Sequence, residues 1–169
     1  MIVLLPPSET KHQPSRGKAL DLAGLSFPAL GHTRAAVLAE LVDLSGQPSA
    51  LEVLGVSAGL ADQVARNQRL ATAPTATAGA IYTGALYDAH DLASMDSSAR
   101  RRAARRLIVV SALFGALRIT DRIPAYRLSM GVTLPAQGRL AALWREPLGQ
   151  VLPDEVGRGL LLYSGGLDT

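Results

Sequence analysis

The sequence predicts a single α/β domain over residues 1–169, a mixed sheet with flanking helices and one helix-hairpin-helix-like segment, and three observations predict it. Two short runs, Ile2-Val3-Leu4-Leu5 and Leu107-Ile108-Val109-Val110, are apolar at every position, as strands covered on both faces are. Between them apolar residues recur at helical spacing. The composition, 48% apolar and 18% charged, is that of a chain that folds. A domain of about 150 residues buries roughly 70% of the surface its unfolded chain exposes.

The first run stops at Pro6-Pro7 and hands on to Ser8-Glu9-Thr10-Lys11. Ligands of open α/β sheets bind beyond the carboxyl ends of strands, so this loop is either a site or a plain turn. Thr33 is expected to cap a helix with Val37, Leu38, Leu41 and Val42 on its core face, ended by Ser45-Gly46 and Pro48. Leu51 to Gln68 reads as two short helices joined at Gly55-Val56-Ser57. That pair is either an ordinary αα-hairpin burying its leucines or a phosphate clamp, in which Gly55 permits close approach and Ser57 caps the second helix. Arg66 and Arg69 arrive only near the end of the second helix. Thr72 to Ala89, with Tyr82, Thr83, Gly84 and Tyr87, is expected to form a small-residue helix or turn that another backbone approaches.

Asp96-Ser97-Ser98 offers a cap for a helix carrying Arg100, Arg101, Arg102, Arg105 and Arg106. Arg101 with Arg105, and Arg102 with Arg106, stand at i, i+4, where like charges repel by roughly 0.2–0.5 kcal/mol per pair. That face either answers the acidic first half of the chain or meets phosphate. The helix leads into Leu107–Val110 as a crossover unit. Beyond this strand Arg118, Asp121, Arg122, Tyr126 and Arg127 make a second site candidate with more guanidinium than carboxylate; the structural alternative has Asp121 pairing with one arginine and Tyr126 packing. Leu140 to Val151 reads as an amphipathic helix through Leu140, Leu143, Trp144 and Leu148, kinked or ended by Pro147, with Trp144 in the core. Leu160 to Tyr163 is a third strand, and the tail Ser164-Gly165-Gly166-Leu167-Asp168-Thr169 resembles the phosphate-cradling loop of ATP pyrophosphatases with no helix after it.

Composition excludes several function classes. No cysteine is present, which removes disulfides, thiolate metal sites and a cysteine nucleophile. His12, His32 and His90 lie far apart, so no metal site is expected, and no cofactor. Neither a membrane-spanning run nor a secretory leader is visible, which points to the cytoplasm and away from a membrane partner. No Walker loop, G-x-G-x-x-G, H-E-x-x-H or G-x-S-x-G occurs. Charge is uneven: six basic residues face nine acidic ones before Arg100, and eleven face five from Arg100 onward, so −3 and +6 make the net +3. Fifteen of the seventeen basic residues are arginine, which forks onto phosphate oxygens as lysine does not, and the basic second half is the candidate contact surface.

Four ordered segments carry a family resemblance: Leu4-Leu5-Pro6-Pro7-Ser8-Glu9-Thr10-Lys11, Ala80-Ile81-Tyr82-Thr83-Gly84, Val110-Ser111-Ala112-Leu113-Phe114-Gly115-Ala116-Leu117-Arg118, and Ile123-Pro124-Ala125-Tyr126-Arg127-Leu128-Ser129-Met130-Gly131. Together they resemble the YaaA family of peroxide-stress proteins. The resemblance implies an α/β fold with an electropositive cleft, helix-hairpin-helix-type DNA binding without sequence readout, and a role in limiting iron-driven oxidative damage. It places Thr10, Tyr82, Thr83, Gly84, Arg118, Asp121, Tyr126 and Arg127 at the family's polar positions and Leu51 to Val64 at its hairpin. Two departures stand out: many members carry lysine where this chain has Glu9, with Lys11 supplying that charge from a shifted position, and members continue past the third strand, so the chain resembles their N-terminal two-thirds and is C-terminally incomplete against them.

Two functional readings follow. In the first, duplex DNA is bound without sequence specificity, its phosphates meeting Arg118, Arg122 and Arg127 with help from the arginine helix and the Gly55 turn. In the second, an enzyme or small-molecule binder takes a phosphorylated or carboxylated ligand in the same cleft, with Asp121 as acid or base, Tyr126 as donor, and Thr10 and Thr83 orienting the ligand. The candidate binding set is thus Thr10, Lys11, Gly55, Tyr82, Thr83, Gly84, Arg118, Asp121, Arg122, Tyr126 and Arg127. A homo-oligomer, or a partner chain completing the sheet, is a further expectation.

Overall fold

The computed structural model describes residues 1–90, 94–156 and 160–162. The first apolar run is strand β1 (Ile2–Leu5). It is followed by α1 (Gly31–Leu44), α2 (Ala50–Val53) and α3 (Ala61–Asn67). Next come β2 (Ala76–Thr77), α4 (Ala78–Ile81), α5 (Ala85–His90) and the arginine helix α6 (Ser97–Arg106). Strands β3 (Leu107–Ser111), β4 (Gly115–Arg118), β5 (Arg122–Ile123), β6 (Thr133–Leu134) and β7 (Gly138–Arg139) then lead to α7 (Leu140–Leu143), α8 (Arg145–Val156) and β8 (Leu160–Leu162).

The main sheet is mixed, in the order β4-β3-β1-β8. β1 runs parallel to both β3 and β8, in register at Val3 with Leu107 and Val3 with Leu161. β4 turns back antiparallel on β3, pairing Ser111 with Gly115 and Ile108 with Arg118. This register defines two ends. The carboxyl edge carries Ser111 and the loop after Leu5; the amino edge carries Arg118 and the last turn of α6. β3 is buried at every position but Val110, as its unbroken apolar run requires.

Trp144 fixes the β3–β4 turn. Its indole Nε1 donates to the Ala112 carbonyl at 2.8 Å. Gly115 takes φ +71, and a Cβ there would stand 2.6 Å from the indole ring, so only glycine fits. Arg34, fully buried on α1, clamps the same turn: Nε donates to the Phe114 carbonyl at 2.8 Å, and Nη2 to the Ala116 and Ser26 carbonyls at 2.7 and 2.8 Å.

Some sequence boundaries shift. α1 begins at Gly31 with Leu30 in the cap position, so Thr33 lies inside the first turn instead of capping it. The expected Leu140–Val151 helix is broken at Trp144, and Pro147 sits as the third residue of α8, where no intrahelical N–H is needed. The Thr72–Ala89 stretch divides into β2, α4 and α5. Asp96 caps α6 as expected, accepting from the Ala99 amide at 2.7 Å. Two short helices, α2 and α3, occupy the Leu51 to Gln68 stretch, with a 3-10 turn at Ala58–Leu60 before α3; Ser57 takes the cap position of that turn in extended backbone, without the side-chain cap bond the sequence suggested. The tail 163–169, read as a phosphate-cradling loop, lies outside the described residues. Among the described residues no helix is long and apolar enough to cross a membrane.

Candidate functional site

The loop after β1 and the segment after α4 are stitched together at the carboxyl edge. Lys11 pairs with Tyr82 in a bridge, and the His12 amide donates to the Ile81 carbonyl at 2.8 Å. The Thr83 hydroxyl reaches the Thr10 carbonyl and hydroxyl, each at 3.2 Å. The Thr83 amide donates to Ser8 Oγ at 3.1 Å. Gly84 takes φ +102, a backbone conformation that favours glycine, and a Cβ there would only reach ordinary contact with Thr10 Oγ1 at 3.5 Å.

Beneath this loop runs a buried hydroxyl chain. Tyr82 and Tyr126 are 1% and 5% exposed, and their hydroxyls meet at 3.0 Å. Tyr126 also meets Ser111 Oγ at 2.8 Å, and Ser111 Oγ accepts from the Phe114 amide at 3.1 Å. Burial raises the pKa of both phenols, so they stay protonated donors across the neutral range. Tyr87 stacks on Tyr82 with ring centroids 5.3 Å apart and donates to the Pro6 carbonyl at 2.6 Å.

Lys11 closes the stack. Its Nζ donates to the Ser8 carbonyl at 2.6 Å and lies 4.6 Å from the Tyr126 ring centroid and 5.6 Å from that of Tyr82. Desolvation and the neighbouring Arg127 cation lower its pKa to about 8, against the opposing pull of Glu9. The ring faces also favour the ammonium, so desolvation outweighs them. Arg127 pairs with Glu9, Nη2 to Oε2 at 2.8 Å, and its backbone is held by buried Asn67, which donates to its carbonyl and accepts from its amide at 2.9 Å.

Two hollows open on either side of Lys11. One, of about 150 Å³, is lined by Thr10, Lys11, Gln63, Arg66 and Tyr126 among others. The other, of about 90 Å³, lies between Pro6, Lys11, Arg127 and Met130. Helix α3 thus forms a wall of the larger hollow through Gln63 and Arg66.

The structure divides the sequence candidates. Thr10, Lys11, Tyr82, Thr83, Gly84, Tyr126 and Arg127 come together at the carboxyl edge. Arg118 does not join them: its Nη1 donates to the Arg105 carbonyl at 2.5 Å, at the amino edge, and its guanidinium lies 5.3 Å over the Phe27 ring. Arg122, on β5, donates to the Thr75 carbonyl at 2.6 Å. Asp121 is 7% exposed and committed: Oδ1 accepts from the Ser26 amide and hydroxyl, Oδ2 from the Arg118 amide at 2.9 Å. It ties loops together and is not aimed into either hollow. Gly55 turns at φ +65 after α2, beside a separate surface depression with Val53, Ser129 and Thr133. The arginines beyond β3 therefore do not line one cleft. Sequence reasoning missed Asn67, Ser26 and Arg34; only Ser111, a hydroxyl closing an apolar run, carried a visible signal.

Residues 1–163 match the family described as peroxide stress protein YaaA. The chain belongs to this family. A UPF0246 protein of Streptomyces coelicolor is 56% identical over 164 residues, covering 96% of this chain and 63% of the relative. A UPF0246 protein of Corynebacterium glutamicum is 42% identical over 158 residues, covering 91% and 62%. The chain thus spans less than two thirds of these relatives' length.

Proposed function

We propose that this chain is the part of a peroxide-stress protein that grips the phosphate backbone of duplex DNA, without reading sequence, through the exposed face of α6 with Arg118 beside it. The observation that carries this reading is the state of α6. Its five arginines are all exposed on ten residues. Among the described residues no carboxylate lies within ion-pairing distance of Arg101, Arg105 or Arg106. Arg101 and Arg105 share one face, an arrangement that repels itself until an anion arrives. Guanidinium forks match phosphate oxygens, and a phosphate-only grip explains a surface with charge and no aromatic reader. Arg102 donates to Ser98 Oγ at 2.6 Å.

A salt titration of the full chain with duplexes of unrelated sequence tests it. Each phosphate contact contributes about −0.9 to the slope of log K against log salt. The triple variant Arg101→Gln, Arg105→Gln, Arg106→Gln is expected to flatten that slope by roughly 2.7, equally for all sequences. The pair Arg66→Gln, Arg69→Gln on α3 tests the hairpin as the rival surface. A shallow slope in the unaltered chain, or loss confined to the α3 pair, sinks the α6 assignment.

A further inference from the structure

One group at the carboxyl edge is used by neither the fold's core nor the arginine helix: the Lys11 amine. We propose that Lys11 forms a reversible imine with a small aldehyde or ketone bearing a carboxylate or phosphate, whose anion is held by Arg66 or Arg127.

The amine is fixed before any ligand arrives. One hydrogen goes to the Ser8 carbonyl, and the rings of Tyr82 and Tyr126 form a floor that cannot swing, because their hydroxyls are tied to each other and to Ser111. Lys11 lines both hollows, so the side away from Ser8 faces open volume. A cavity of about 150 Å³ takes a ligand of about six heavy atoms, the size of a short keto acid and far below that of a nucleotide. Each hollow offers one guanidinium, and guanidinium binds carboxylate or phosphate at two points. Among the described residues the only carboxylate lining either is Glu9, already turned to Arg127.

Desolvation beside a second cation is the arrangement that makes a lysine nucleophilic. With a pKa of about 8, about a tenth of the amines are neutral at pH 7, against about one in three thousand for an unperturbed lysine. The nitrogen lone pair attacks the carbonyl carbon, forming the C–N bond as the C–O π pair moves to oxygen. A proton passes from nitrogen to that oxygen. The nitrogen lone pair then expels the hydroxyl, which leaves as water with a proton from solvent, and hydrolysis reverses the sequence. No oxidant or reductant takes part.

The sequence supplies its own control, since Lys18, which is exposed, is the one other lysine. The full chain is incubated near neutral pH with cyanoborohydride and, separately, pyruvate, phosphonoacetaldehyde or propionaldehyde, and the reduced adducts are mapped by peptide mass. The expected result is an adduct on Lys11 exceeding that on Lys18 by roughly tenfold or more, the gain in neutral amine being partly offset by its weaker nucleophilicity. One of the two anionic probes should lead propionaldehyde, and which one leads identifies the anion. Lys11→Arg abolishes the adduct, and trinitrobenzenesulfonate labels Lys11 with a midpoint near pH 8. Equal labelling of both lysines, no labelling of Lys11, or a lead for the uncharged aldehyde overturns the proposal and leaves Lys11 as a cation resting on tyrosine rings. No nucleic acid enters the measurement, so its outcome is separate from that of the α6 reading.

Discussion

The two ends of the sheet handle polarity in opposite ways. At the carboxyl edge, polar side chains are buried and answer one another: Tyr82, Tyr126 and Ser111 in one hydroxyl chain, Asn67 against the Arg127 backbone, Arg34 against three carbonyls. At the amino edge, α6 turns five arginines to solvent and buries only Ala103. A buried polar group stabilises only while its partners are present, and removing one leaves the others desolvated and unmet. Exposed charge contributes little to stability and remains available to a ligand. Changes at one end should therefore show in unfolding, and changes at the other in binding.

The largest effect is expected at Arg34. Arg34→Met strips the donors from Phe114, Ala116 and Ser26 and leaves Asp121 without its nearest buried counter-charge. Leaving those buried carbonyls unmet costs roughly 1–3 kcal/mol each, so the variant should unfold at a much lower urea midpoint. Asp121 tests the same clamp from the other side: Asp121→Asn should weaken folding as well. A catalytic Asp121 would leave the midpoint in place.

Tyr126→Phe comes next, at about 1–3 kcal/mol, because the Tyr82 and Ser111 hydroxyls lose their shared partner. The phenyl ring still lies under Lys11, so labelling of that amine should persist while thermal stability falls. If both vanish together, the hydroxyl chain and the Lys11 site are one device and the separation drawn between them fails.

Lys11 itself gives a pH signature. Its folded pKa is about 8 against 10.5 unfolded, so between those values the unfolded chain holds a proton that the folded chain lacks. Stability contributed by this group rises across that window; below it, the desolvated ammonium is carried in full. The difference between wild type and Lys11→Met should therefore move in favour of wild type from pH 8 to 10.5, with the tyrosines cancelling in the difference. Parallel urea curves over that range would show that the amine is solvated like any surface lysine.

The parallel strands β1, β3 and β8, the arginine helix and its Asp96 cap were legible because burial on both faces, helical spacing and capping each leave a local pattern, whereas β4 lies in a stretch that read as a loop. The loop Ser8–Lys11 was legible as a place, since strand ends announce crevices. What assembled there was not. Tyr126 meets Ser111 across 15 positions and Tyr82 across 44, while Asn67 meets Arg127 across 60, and no local rule encodes such pairings. Arg118 and Arg127 are nine positions apart, yet the β4 hairpin and the return through β5 send them to opposite edges. Crowding of charge along the chain predicted one cleft, and chain reversal divided it.

The smallest effect on folding, and the largest on binding, should come from α6. Replacing Arg101, Arg105 and Arg106 with Gln removes like-charge repulsion worth a few tenths of a kcal/mol, roughly 0.2–0.5 per pair. It keeps long, helix-tolerant side chains, so the urea midpoint should stay within about 0.5 kcal/mol or rise slightly. Arg118 still donates to the Arg105 carbonyl, a backbone group the substitution leaves in place, so the amino edge keeps its shape. Loss of DNA affinity without loss of stability then assigns the arginines to the ligand. A clear fall in stability would mean that the guanidinium groups hold α6 to the sheet, and the contrast between the two edges would disappear.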